Sequence, residues 1–155
     1  MWHGIFRLND QPMSRLDIGS FSVDAFSGDG KHRNKKGSMC MKDEGPIPNG
    51  LYYIVDRESG GLFGKLRDIR GGKSDWFALY ANDGMLNDTL EDSMFCHNVE
   101  RGLFRLHPKG MLGISKGCIV IEKKTDFLSL RHFLLTYRHK IPGTEIYTYG
   151  TIQVI

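Results

Sequence analysis

Alternating apolar and polar positions predict short strands in the first part of the chain. The pattern indicates strands at 4–8, 14–18 and 21–26, and Asn9–Asp10 is a turn signal between the first two. A glycine-rich loop is predicted over residues 27–37. The chain therefore begins as a run of strands rather than as a helical bundle.

Prolines, glycines and β-branched residues extend the strand pattern. Gly45-Pro46-Ile47-Pro48-Asn49-Gly50 excludes a helix and predicts a tight turn into a strand at 51–55. A loop-like section lies between Gly60-Gly61 and Gly71-Gly72, and Asn82-Asp83-Gly84 is expected to end a strand. The remaining predicted strands are 76–80, 102–106, a buried strand at 119–121, and a terminal hairpin of 144–149 and 151–155 about Gly150.

Helical periodicity is clearest in one segment near the C-terminus. Thr125 is expected to cap a helix that runs from Asp126 to about Tyr137, before Pro142-Gly143. One face of it would carry the apolar residues Phe127, Leu130, Leu134 and Tyr137. The expected fold is one mostly-β domain over residues 1–155, with one substantial helix at about 125–138.

Composition and charge remove several classes of function. The chain has 155 residues, 19 of them glycine, and a net charge of +3. Its one basic cluster, Lys31 to Lys36, is flanked by glycines and is expected to be a solvated loop, so no nucleic-acid partner is predicted. No run approaches the ~18 apolar residues of a membrane helix. Because the first residues lack a secretory pattern, we expect synthesis and folding in the cytoplasm.

Three cysteines raise the question of disulfides and metals. Cys40, Cys96 and Cys118 are an odd number without close spacing, so a disulfide framework is not expected, while a single Cys40–Cys96 bridge stays open. Neither CxxC nor HxxxH spacing occurs. No metal and no cofactor is therefore predicted.

One histidine and one cysteine form the candidate catalytic pair. His107 is expected at the end of a strand, and Cys118 begins the next, after a connecting loop. A thiol attacks a carbonyl as the thiolate, and a neighbouring imidazole commonly takes its proton. Cys118 is thus the predicted nucleophile and His107 the predicted base.

Residues around the pair suggest supporting roles. Gly117 and Cys118 offer backbone N–H groups to a developing oxyanion, and Ser115 is expected to brace the loop with its hydroxyl. Lys116 adds positive potential beside the thiol. Arg105 alternates with apolar neighbours and faces either the solvent or the cleft.

These segments together resemble a known family. Ser115-Lys116-Gly117-Cys118 with an upstream histidine resembles the Ser/Thr-x-Gly-Cys signature of the L,D-transpeptidase (YkuD-like) domain. The chain is more similar to the L,D-transpeptidase-like effectors of type VI secretion systems. The segments that carry this closer resemblance are Ala25-Phe26-Ser27-Gly28, Gly45 to Ile54, Ser59-Gly60-Gly61 and Phe104-Arg105-Leu106-His107-Pro108.

The resemblance implies a fold and an activity. The fold would be an L,D-transpeptidase-like β-sandwich, and the carbonyl of Pro108 would orient the His107 ring. The substrate would be the tetrapeptide stem of peptidoglycan, cut after diaminopimelate through an acyl-enzyme on Cys118. Hydrolysis of that acyl-enzyme is L,D-carboxypeptidase activity, and transfer to an amine is L,D-transpeptidase activity. Ser27, Gly28, Arg105 and Lys116 would contact substrate.

The resemblance also implies a biological setting. Such a protein is an antibacterial toxin that leaves the producing cytoplasm through type VI secretion components and acts in the periplasm of a target cell. A cognate immunity protein would be its partner, with no insertion into a membrane. Two positions depart from the housekeeping pattern: Lys116 replaces a second histidine, and Val120 stands where arginine or asparagine is usual. Arg105 is the predicted source of the missing polar contact.

Two other functions stay open on the sequence. One is a catalytically inactive module that binds cell wall or protein on the same fold. The other is a papain-like cysteine amidase, although in those enzymes the cysteine precedes the histidine and opens a helix.

Overall fold

The computed structural model describes residues 1–57, 75–82, 93–111 and 113–155. The strands in these ranges are β1 (Trp2–Phe6), β2 (Ser14–Ile18), β3 (Phe21–Phe26), β4 (Gly50–Asp56), β5 (Phe77–Ala81), β6 (Ser93–Cys96), β7 (Val99–Gly102), β8 (Arg105–Pro108), β9 (Ile119–Ile121), β10 (His139–Lys140) and β11 (Tyr147–Val154). The α-helix in the described ranges is α1 (Lys124–Leu134). Within the described residues, the expected mostly-β architecture with one helix is therefore confirmed.

The main sheet closes on itself like a barrel. Its strand order is β1-β2-β3-β9-β8-β5-β4-β11-β10, and β1 also pairs with β11. That last pairing is parallel, as is the pairing of β8 with β9. Strands β6 and β7 form a separate antiparallel pair. The barrel-like closure leaves few free sheet edges in the described part of the chain.

The core lies inside this barrel and beneath the helix. Alternation along β2 buries Ser14, Leu16 and Ile18 and exposes the residues between them, as a period of two requires. The helix adds Phe127, Leu130 and Leu134 to the same apolar cluster. None of the described helices is long and apolar enough to cross a membrane.

The predicted start and end of the helix need correction. The N-cap residue is Lys123, whose carbonyl accepts the N–H of Phe127, and no side chain caps this end of the helix. Thr125 is therefore the second residue of the helix and not its cap. At the other end, the N–H groups of Thr136 and Tyr137 bond three residues back, which tightens and ends the helix. Tyr137 lies beyond α1 and is exposed rather than part of the buried face.

The predicted terminal hairpin is wrong. Residues 147–154 form one continuous strand, β11, which pairs with β4 across a register shift between Thr148 and Gly150. Gly150 has φ +156°, and a Cβ there would lie 2.6 Å from the carbonyl oxygen of Trp2. The glycine therefore permits a bulge and a close approach of β1, where a turn was expected.

The predicted strand at 102–106 is two strands. Leu103 has φ +57°, which no regular strand accommodates, and it separates the end of β7 at Gly102 from the start of β8 at Arg105. His107 accordingly lies in β8, one residue before the last residue of that strand, close to the strand end at which it was expected. Strand β6, the partner of β7, was not predicted.

Smaller differences concern the other bounds. The strands expected at 4–8 and 76–80 occupy 2–6 and 77–81. The loop-like section with Ser59-Gly60-Gly61 and Gly71-Gly72, and the Asp83-Gly84 part of the strand-ending signal, lie outside the described residues.

Candidate active site

The position of His107 is set by β8 and by its own neighbour. His107 is buried, at 6% exposure, and its Nδ1 lies 2.8 Å from the carbonyl oxygen of Pro108. Because a carbonyl only accepts, Nδ1 carries the proton, and in the neutral ring Nε2 carries the lone pair. The Pro108 carbonyl therefore holds the ring in this orientation. The imidazole is in the tautomer that a general base at Nε2 requires.

The register of β8 and β9 brings Cys118 to the same side of the barrel wall as His107. Leu106 pairs with Ile119 and His107 with Val120. Leu106 and Ile119 belong to the inner core, so their neighbours His107 and Cys118 leave the wall on its outer face. Cys118 immediately precedes β9 and is diagonal to His107 across the two strands.

The protonation of Cys118 is governed by opposing effects. Burial raises the pKa of the Cys118 thiol, while the backbone N–H of Arg105 and the charges of Arg105 and Arg57 lower it. Burial is the largest of these, so the thiol is the resting form near neutral pH. The thiol also lies 3.9 Å from the carbonyl oxygen of Leu103. A base must therefore remove the proton for Cys118 to act as a nucleophile.

Ser115 braces the loop that leads to the thiol. Its hydroxyl is buried, donates to the carbonyl of Cys118 at 2.8 Å and accepts the N–H of Gly28 at 3.2 Å. These bonds tie the 113–118 loop, which precedes β9, to the segment after β3. The structural role predicted for Ser115 agrees with this geometry.

Ser27 and Gly28 support the site from the segment 27–49. Ser27 is fully buried; its hydroxyl accepts the N–H of Ile47 at 2.8 Å, and its own N–H donates to Asn34 Oδ1 at 2.9 Å. The amide of Asn34 donates onward to the carbonyl of Gln11. Contact of Ser27 and Gly28 with substrate stays a prediction, whereas these bonds give both residues a part in holding the loop.

The two predicted cations differ in their surroundings. Arg105 is partly buried, and its guanidinium donates to the carbonyl of Phe104 at 2.8 Å, beside the thiol whose pKa it lowers. Lys116 is exposed. Val120 is 1% exposed on β9, so it packs within the protein at the position where a polar residue was expected to face substrate.

Two residues of the site region were missed in the sequence. The ring of Trp76 is stacked on the His107 imidazole with centroids 4.0 Å apart, and Arg57 lies 5.6 Å from the centre of the Trp76 ring. The second is Arg101, which is 3% exposed and surrounded by backbone carbonyls. Trp76 immediately precedes the apolar strand β5, and Arg101 lies in the short polar strand β7. Neither position has a local sequence pattern that indicates a functional site.

A disulfide joins the segment 27–49 to strand β6. Cys40 and Cys96 are joined, with their Cα atoms 5.2 Å apart, and Cys118 is free. The bridge links the segment 27–49 to β6, which resolves the pairing that the sequence left open. Within the described ranges, no group of three or more His, Cys, Asp or Glu side chains is arranged to hold a metal ion.

Comparison with protein-family models finds a match over most of the chain. Residues 22–144 match the family model of the Tlde1 domain, a range that includes the whole of the site just described. No curated protein and no solved structure matched the chain.

Proposed function

The chain belongs to the Tlde1 domain family of type VI secretion effectors, and from this premise we propose that it is a cysteine-dependent L,D-carboxypeptidase and L,D-transpeptidase of peptidoglycan. The observation that carries the proposal is the placement of His107 and Cys118 on one face of adjacent strands, with His107 Nδ1 bound to the Pro108 carbonyl. A thiol on the same face of the wall as an imidazole that keeps its Nε2 lone pair is the arrangement that nucleophilic catalysis needs.

The proposed reaction begins with proton transfer. His107 Nε2 takes the thiol proton of Cys118, and the sulfur attacks the carbonyl that joins diaminopimelate to the terminal D-alanine. The N–H groups of Gly117 and Cys118 stabilise the oxyanion. His107 then returns the proton to the leaving amine of D-alanine, and the stem remains as a thioester on Cys118.

The second half of the reaction decides the product. Water, activated by His107, would attack the thioester and release a tripeptide stem. An amine such as a D-amino acid would instead form a new amide at the diaminopimelate carbonyl and block normal cross-linking. Arg105 and Lys116 are the proposed contacts for the carboxylates of the stem, because the charge of Arg105 acts on the thiol and Lys116 is exposed two residues before Cys118.

Family membership supports a biological setting for the proposed activity. Membership of an effector family supports a type VI secretion context and an immunity partner. We propose that the immunity protein covers the face of the barrel wall that carries Cys118. Because the substrate is in the periplasm, we also propose that the toxin acts in the periplasm of the target cell.

One measurement tests the proposal. The purified protein is incubated with disaccharide-tetrapeptide, with and without a D-amino acid, and the masses of the products are determined by mass spectrometry. We expect tripeptide without the amino acid and an exchanged stem with it, both absent for Cys118→Ala and His107→Ala. Tetrapeptide that stays unchanged with folded wild-type protein would sink the proposal.

A non-catalytic binding module is the second candidate. It is favoured by the desolvation of the Cys118 thiol, which raises its pKa as in an unreactive cysteine. Under that function, Cys118→Ala and His107→Ala would leave both toxicity and binding to cell wall intact. A papain-like amidase is disfavoured, since Cys118 precedes strand β9 rather than opening a helix.

A further inference from the structure

Arg101 is a buried cation that is bound by backbone carbonyls. Its guanidinium donates to the carbonyls of Met39, of Pro46 at 3.2 Å and of Gly45 at 3.0 Å. All three acceptors belong to the segment 27–49. Burying a guanidinium is favourable only when its donors find partners, and the planar fork of arginine supplies several donors at fixed angles. Arg101 therefore fixes this segment against strand β7.

The same guanidinium lies directly under the backbone of the proposed oxyanion site. A Cβ at Gly117 would lie 2.6 Å from Nη2 of Arg101 and 3.0 Å from the ring of Phe104. Gly117 has φ +109°, a backbone conformation that side chains rarely adopt. The peptide between Gly117 and Cys118 consequently rests on Arg101 and Phe104, with no room for a side chain between them.

The surroundings of Arg101 are compatible with a charged guanidinium. The hydroxyl of Tyr52 donates to the carbonyl of Pro48, and burial raises the pKa of Tyr52, so the neutral phenol lies near Arg101. Burial lowers the pKa of Arg101, and the nearby Tyr52 and Asp43 oppose this effect. Arginine remains charged under such conditions.

We propose that Arg101 is a positioning residue, which holds the Gly117–Cys118 backbone in the geometry that binds the oxyanion. The inference rests on the proposed function for its catalytic meaning. It explains why a charged guanidinium is buried here: the guanidinium holds the two N–H groups in position. A displacement of about 1 Å at such a site lowers the rate about 100-fold.

The disulfide contributes from the acceptor side of the same contact. Cys96 and Arg101 lie on the paired strands β6 and β7, and Cys40 follows Met39, whose carbonyl is one of the acceptors. The bridge therefore keeps the carbonyl-bearing segment within reach of the guanidinium. Removing it should loosen the contact without changing Arg101 itself.

The test compares Arg101→Lys with Arg33→Lys on the full chain, using disaccharide-tetrapeptide as substrate. Lysine keeps the charge but cannot reach three carbonyls at once, so we expect kcat to fall about 10- to 100-fold with KM within about threefold. Arg33 is the matched control, because its guanidinium also donates to a carbonyl of the neighbouring loop, at Gly113, but does not underlie Gly117. Its replacement should change kcat by less than about threefold.

Hydrogen exchange at the backbone of Gly117 and Cys118 is measured in parallel. We expect faster exchange at these amides in Arg101→Lys than in the wild type or in Arg33→Lys. If the wild type cleaves no stem peptide, the proposed function fails, while the exchange measurement still decides whether Arg101 holds this backbone.

A second variant serves in case Arg101→Lys does not fold. Cys40→Ser with Cys96→Ser leaves Arg101 intact, and we expect about a threefold loss of kcat with faster exchange at Gly117 and Cys118. Unchanged kcat and exchange in whichever of the two variants folds would overturn the inference, as would an equal loss of kcat in Arg33→Lys.

Discussion

The barrel wall that carries His107 and Cys118 and the segment 27–49 behind it are held together in different ways. The wall is a run of paired strands, in which register alone decides which side chains reach the outer face. The segment has only two short 3-10 turns, Gly30–His32 and Lys36–Ser38, and is held by buried side chains and one disulfide. Strand pairing thus places the side chains of His107 and Cys118, whereas side-chain contacts shape the backbone that precedes the thiol.

The largest effect should come from breaking the disulfide, which belongs to the segment and not to the wall. Its cysteines are 56 residues apart, and closing a loop of that size stabilises the folded state by about 4 kcal/mol. We expect Cys40→Ser with Cys96→Ser to lower Tm by about 10 °C. Thermal unfolding is measured in a Cys118→Ala background, so that no free thiol exchanges with the bridge.

The control for this prediction is dithiothreitol. Reduction should lower Tm in the background protein by the same amount and leave Tm of the double serine variant unchanged. Equal Tm values for all of these samples would contradict a stabilising role of the bridge.

Ser115 tests the link between the segment and the wall. Ser115→Ala removes the donor to the Cys118 carbonyl and the acceptor for Gly28 N–H, so we expect kcat on the tetrapeptide stem to fall about 10- to 30-fold. Ser22→Ala is the matched control, because its hydroxyl also has two partners, Arg15 and Asp17, but at solvent-exposed positions of β2 and β3. Equal kcat values for the two variants would show that the link is not needed.

Trp76 tests the wall itself. Its ring is stacked on the His107 imidazole. Trp76→Leu should therefore let the imidazole rotate away from its present orientation and lower kcat by about five- to tenfold. Trp76→Phe keeps an aromatic face and should retain most of the activity. If Leu and Phe at this position have the same kcat as the wild type, the stacking does not position the base.

The smallest effect concerns the charge beside the thiol. Burial raises the pKa of Cys118 and Arg105 lowers it, so Arg105→Gln should raise this pKa further. Below that pKa the thiolate fraction falls as the pKa rises, and alkylation by iodoacetamide at pH 8 should slow by about two- to fivefold. Lys116→Gln, at an exposed position two residues before Cys118, should have almost no effect. A faster reaction in Arg105→Gln would contradict the sign.

The sequence predicted the wall better than the segment, for a physical reason. Alternation marked β2 and β3, and the apolar run Ile119–Ile121 marked β9, because these patterns reflect local burial. Cys118 and His107 were predicted as a pair because thiol chemistry needs a base nearby, and the role of the Pro108 carbonyl was predicted because the family resemblance implied it. These features are readable over a few consecutive residues.

What the sequence did not predict depends on distant partners. The parallel pairing of β1 with β11, which turned the expected hairpin into one strand, joins the two ends of the chain. Arg101 acts on carbonyls at least 55 residues away, and Trp76 stacks on a residue of another strand. Local periodicity contains no information on such contacts between residues that are distant in the sequence.

The most direct test of the central claim is to locate the covalent intermediate. The protein is mixed with disaccharide-tetrapeptide, quenched in acid and digested, and the peptide that contains Cys118 is weighed. We predict an adduct on Cys118 with the mass of the stem after loss of D-alanine, and none in His107→Ala. Turnover of the substrate without that adduct, or with the adduct on another residue, would contradict the claim that Cys118 is the nucleophile.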